Sequence, residues 1–126
     1  MNTFPSELIS AGLFFLFIFL FGFWLRRAGK PYNALLFNFH KLIGLGALVF
    51  LSITIYHGNQ AAPLGTIELT ACVVTGVFFI STIVSGGLVS IDKPMPAALS
   101  LIHKLFPYLT VLSTAATLYL VLGGGA

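Results

Sequence analysis

Residues Lys30–Leu42 read KPYNALLFNFHKL, and residues Lys93–Leu105, 63 positions later, read KPMPAALSLIHKL. Seven of these thirteen pairs are identical: Lys30/Lys93, Pro31/Pro94, Ala34/Ala97, Leu36/Leu99, His40/His103, Lys41/Lys104 and Leu42/Leu105. Composition alone would give about one. The same register, half the chain length, reaches Thr54/Thr117 and Tyr56/Tyr119 without a gap. Upstream the match fades, although Phe15/Phe78 and Leu25/Leu88 still coincide. The pattern reads as duplication of one unit, with copies at about 1–63 and 64–126.

Each quoted segment opens a long apolar run. Four such runs are present, roughly Leu8–Leu25, Ala34–Tyr56, Ile67–Ile91 and Ala97–Leu122. Each approaches the ~20 residues that cross a ~30 Å hydrocarbon core at 1.5 Å rise per residue. Between them lie turn-forming stretches: Arg26–Asn33, His57–Gly65 and Asp92–Pro96. Short connections make consecutive helices antiparallel neighbours. The expected fold is therefore all-α: one integral membrane domain over residues 1–126, a four-helix up-down bundle of two parallel two-helix repeats. Composition agrees, with 58% hydrophobic and only 7% charged residues and a mean hydropathy of +1.04. So few charges cannot cover a water-facing surface, which makes the lipid bilayer the expected solvent. A formal charge of +3 rests on six basic residues and gives no footprint for nucleic acid. The single cysteine, Cys72, lies in an apolar run and reads as a small buried hydrophobe.

The basic residues are one-sided. Arg26, Arg27 and Lys30 fall in the first connection and Lys93 in the third, with Lys41 and Lys104 two turns into the helices that follow. The second connection and both ends lack Lys and Arg. The positive-inside rule then places the first and third connections in the cytoplasm and both termini outside, in a prokaryotic plasma (inner) membrane. The first run lacks a basic leader and carries Glu7, so an uncleaved first helix is expected.

Each repeat contains two spans, so the copies are parallel and related by a pseudo-twofold axis along the membrane normal. That axis sets His40 and His103 at one depth, about 10 Å along the helix from Asn33, a plausible N-cap. Ionisable groups inside a membrane are costly and mark function more often than packing, especially as a symmetric pair. Two imidazoles fill the axial positions of a haem iron, whose porphyrin supplies the other four donors. Zinc requires three or four protein ligands, and carboxylates or thiols at this depth are missing. Glu7 and Glu68 lie near helix N-termini, where they complement the dipole. No Cys-x-x-Cys-His occurs, so the expected cofactor is a non-covalent haem b, its iron ligated by His40 and His103.

The His40 face continues through Gly44, Ala47, Leu51 and Thr54; the His103 face continues through Pro107, Thr110, Thr114 and Thr117. Gly44, Ala47, Pro107 and Thr110 are the candidate cofactor-lining residues, with small side chains leaving room for a macrocycle. Small residues are also how membrane helices approach one another, so this face alone does not decide between the two. Phe37, Phe39 and Phe106 offer apolar contacts. Lys41 and Lys104 either snorkel to the headgroups or pair with haem propionates. His57 has no matched histidine and reads as an interfacial residue.

The two His-Lys-Leu copies, His40-Lys41-Leu42 and His103-Lys104-Leu105, on parallel helices of a four-helix bundle resemble small membrane b-type cytochromes. Cytochrome b561-like and ferric-reductase-like bundles belong to this group. The resemblance implies electron transfer between a quinol or soluble reductant and another redox carrier. It implies a subunit or partner of a respiratory or quinone-linked system, in a homo- or hetero-oligomer, and favours an electron-transfer protein over a stand-alone enzyme. Those groups commonly use two histidine pairs and two haems; this chain has one pair. Two other classes fit the same residues: a haem- or chlorophyll-binding accessory subunit of a larger complex, and a small non-redox transport or channel subunit.

Overall fold

A computed structural model describes residues 4–29, 31–91 and 95–123. The described residues are all-helical: α1 (Phe4–Ala28), α2 (Ala34–Ala61), α3 (Thr66–Val89) and α4 (Ala97–Leu118), the last running on into a π turn, Tyr119–Gly123. The four apolar segments contain 24, 28, 24 and 27 residues, each long and apolar enough to cross a membrane.

Local chemistry sets the ends. Glu7 lies in the first turn of α1 and Arg26 and Arg27 in its last, matching the helix dipole at both ends. Gly29 stops α1 at φ +76°, a left-handed conformation natural to glycine, with its N–H on the Leu25 carbonyl at 3.0 Å. Asn33 caps α2 by accepting from the N–H groups of Leu35 and Leu36 at 2.9 and 3.2 Å. Lys30 and the Asp92-Lys93-Pro94 connection lie outside the described residues.

α2 departs from the sequence reading, which ended it at Tyr56. The helix continues through His57, Gly58, Asn59 and Gln60. Gly58 looks like a turn residue but is buried, and a Cβ there would run into Val121 of the π turn. It serves close helix approach instead of chain reversal. The reversal comes after Ala61, where Asn59 Oδ1 accepts from the Leu64 N–H at 3.1 Å.

α1 packs chiefly on α2 and α3 on α4, while α1 also meets α4. The core joins Ala11 and Phe15 of α1, Ala47 and Leu51 of α2, Phe79 of α3 and Leu118 of α4. Around it Thr54, Thr75, Thr110, Thr114 and Thr117 are buried, whereas Ile9, Leu35, Val73 and Leu112 are each at least 65% exposed. Hydroxyls inside and large aliphatics outside suit contact with lipid, not water.

Candidate cofactor site

His40 of α2 and His103 of α4 meet across the bundle, ring centroids 6.4 Å apart and ring planes 83° apart. Each ring is tied to the preceding helix in the same way. His40 Nδ1 lies 3.0 Å from the Ile18 carbonyl on α1, and His103 Nδ1 lies 3.0 Å from the Thr82 carbonyl on α3. A carbonyl only accepts, so each Nδ1 carries the proton and donates it. The lone pair is then on Nε2, and neither Nε2 has a hydrogen bond among the described residues. This is the tautomer of a metal-ligating histidine whose second nitrogen is anchored to the backbone.

Two glycines give access to those carbonyls. In an α-helix the Ile18 and Thr82 carbonyls face the residues four positions on, which here are Gly22 and Gly86. A Cβ on Gly22 would stand 3.1 Å from His40 Cε1, and one on Gly86 only 2.6 Å from His103 Cε1. Absence of a side chain lets each ring lie against the opposite helix. The two rings are not equivalent, however. Ser85 Oγ approaches His103 Nδ1 at 3.3 Å while donating to the Thr82 carbonyl at 3.0 Å; His40 Nδ1 has only the Ile18 carbonyl among the described residues.

Beside the rings is a cavity of about 510 Å³, within the usual range for small-molecule sites. Its wall is apolar and aromatic, including Phe15, Phe19 and Phe79, with cations Arg26, Lys41 and Lys104 and, among the described residues, no carboxylate. Lys41 Nζ also lies 5.6 Å from the centre of the Phe37 ring. Gly44, Pro107 and Thr110 line the cavity; Ala47 is buried in the core and does not. No Cβ contact within 4 Å would arise at Gly44, so that wall is open.

His57 is exposed, its ring 5.9 Å from that of Tyr56, about 25 Å along α2 from His40 at 1.5 Å per residue. Glu7 is occupied in accepting from Thr54 Oγ1 at 3.0 Å. Among the described residues no group of three or more His, Cys, Asp and Glu side chains gathers. The described residues thus bring together two imidazole donors with no third His, Cys, Asp or Glu beside them. A centre that carries its own equatorial donors fits the donor set; a bare ion does not.

Gly22, Gly86, Ser85 and the two carbonyls were not read from the sequence. The signal was present, one position off. The carbonyl precedes its histidine by 22 residues at His40 and by 21 at His103. The upstream helices therefore correspond at an offset of 64, where Gly12/Gly76, Phe14/Phe78, Phe15/Phe79 and Gly22/Gly86 are identical. Phe15 does pack on Phe79, centroids 5.9 Å apart, so its partner in the contact is not the Phe78 that an offset of 63 pairs with it. No protein-family model, curated protein or solved structure matches this chain.

Proposed function

We propose that this chain is a membrane b-type cytochrome that carries electrons through one haem held between His40 and His103. The observation that carries this reading is the matched pair of Nδ1-to-carbonyl bonds, which leaves two Nε2 lone pairs on rings 6.4 Å apart. When bound, the haem supplies a one-electron ferric/ferrous couple. The protein's part is to hold, orient and insulate. The Ile18 and Thr82 carbonyls fix ring orientation and raise the basicity of both ligands. Phe15, Phe19 and Phe79 keep the cavity wall apolar, and Arg26, Lys41 and Lys104 offer charge for two propionates.

On this reading the helices cross the bilayer four times, with Arg26, Arg27, Lys41 and Lys104 at the cytoplasmic side. The offsets of 63 and 64 support a duplicated helix pair whose second copy has one residue fewer between its helices. A single ligand pair near one side suits exchange with a quinol or with another redox subunit on that side. The test is a reduced-minus-oxidised absorption spectrum of detergent-purified protein. Sharp α and β bands and a b-type pyridine haemochrome are expected. A colourless protein, or one carrying a chlorin, contradicts the proposal.

A further inference from the structure

The interior between α3 and α4 is hydroxylic in a way that α1 and α2 are not. Near the cavity, Ser85 lies beside His103, and Thr82 Oγ1 is 3.3 Å from Thr110 Oγ1. Farther along α4, Thr117 Oγ1 is 2.8 Å from Thr75 Oγ1, which is itself 3.0 Å from Ser113 Oγ. Between these two clusters stands Thr114, on the same helix face as Thr110 and Thr117. It is 2% exposed, and its Oγ1 has no hydrogen-bond partner among the described residues.

A threonine in a helix commonly bonds back to the carbonyl four residues earlier. Thr110 does so at 2.8 Å, as do Thr82 at 2.7 Å and Thr70 at 2.8 Å. Thr114 does not. Packing alone does not call for hydroxyls here, because the positions 63 residues before Thr110 and Thr114 are Ala47 and Leu51, both buried. The remaining match, Thr54, uses its hydroxyl on Glu7. A buried hydroxyl left dry carries a desolvation penalty that nothing nearby offsets.

We infer that Thr114 binds one internal water molecule, shared with the hydroxyls of Thr110 and Thr117. A buried water requires two to four polar partners, and Thr110 and Thr117 provide hydroxyls one helical turn to either side of Thr114. Thr110 gives its hydroxyl proton to the Phe106 carbonyl, so a water beside Thr114 meets the Thr110 oxygen as an acceptor. The inference rests on these hydroxyls alone and stands apart from the identity of any cofactor.

The test uses the full chain in detergent micelles. Transfer of magnetisation from water to the Thr114 methyl group by nuclear Overhauser spectroscopy is expected in the wild type. Thr114→Val keeps the side-chain shape and removes the hydroxyl; its thermal midpoint should fall below wild type, while Thr114→Ser should retain the water. An equal or higher midpoint for Thr114→Val, as for removal of a dry orphan hydroxyl, overturns the inference. So does a wild-type Thr114 methyl group with no contact to water, a result that does not depend on any variant folding.

Discussion

Replacing Gly86 with alanine places a new Cβ 2.6 Å from His103 Cε1, 3.1 Å from Nδ1 and 3.3 Å from Nε2. Ordinary carbon contacts begin about 0.8 Å farther out, so the ring must retreat by roughly that much. The His103 Nδ1 bond to the Thr82 carbonyl, now 3.0 Å, then stretches beyond hydrogen-bonding range. Two energies compete. Alanine gains ~0.8–1.0 kcal/mol over glycine in a helix interior, whereas overpacking costs ~1–3 kcal/mol. Overpacking wins at Gly86. At Gly22 the nearest approach is 3.1 Å, to His40 Cε1, and a shift of a few tenths of an ångström suffices. The two effects nearly cancel there. Loss of a backbone anchor behind a metal ligand costs about 10–100-fold in affinity. Gly86→Ala should therefore weaken haem binding within that range, and Gly22→Ala distinctly less. Titration of haem into stripped protein in detergent, followed by Soret absorbance, measures both. Equal affinity for Gly86→Ala and wild type, or a larger loss at Gly22, would refute the clearance argument.

Other outcomes follow from the same site. Changing Lys41 and Lys104 together to Met should weaken haem retention and lower the midpoint potential by a few tens of millivolts, because uncompensated propionate charge favours the ferric state. A redox titration at wild-type values would show that these lysines only snorkel. Topology is checked in a Cys72→Ala background with single cysteines at Asn59 and Ala28. Asn59→Cys should react with an impermeant thiol reagent on intact cells and Ala28→Cys should not; the reverse labelling would invert the orientation.

The helices were legible because four apolar runs and their Pro- and Gly-bearing breaks state them directly, and the histidine pair was legible because it recurs at a fixed offset. What surrounds the pair was harder to see. Gly22 and Gly86 precede their histidines by 18 and 17 residues, and only helix packing brings them to the rings. The one-residue difference hid their match behind an offset of 63. Gly58 misled for a related reason: a glycine that permits close approach has the same letter as one that turns the chain. Ser85 is invisible to the repeat, because its counterparts at offsets of 63 and 64 are Gly22 and Phe21. Asymmetry between the halves leaves no periodic trace.

The most direct test of the bis-histidine site is the haem content per protein of four preparations: wild type, His40→Leu, His103→Leu and His57→Ala. If His40 and His103 hold the haem as proposed, wild type and His57→Ala should each carry one low-spin haem. Each of the other two should lose the haem or turn high-spin. A full low-spin spectrum in both His40→Leu and His103→Leu would place the cofactor elsewhere and contradict the assignment.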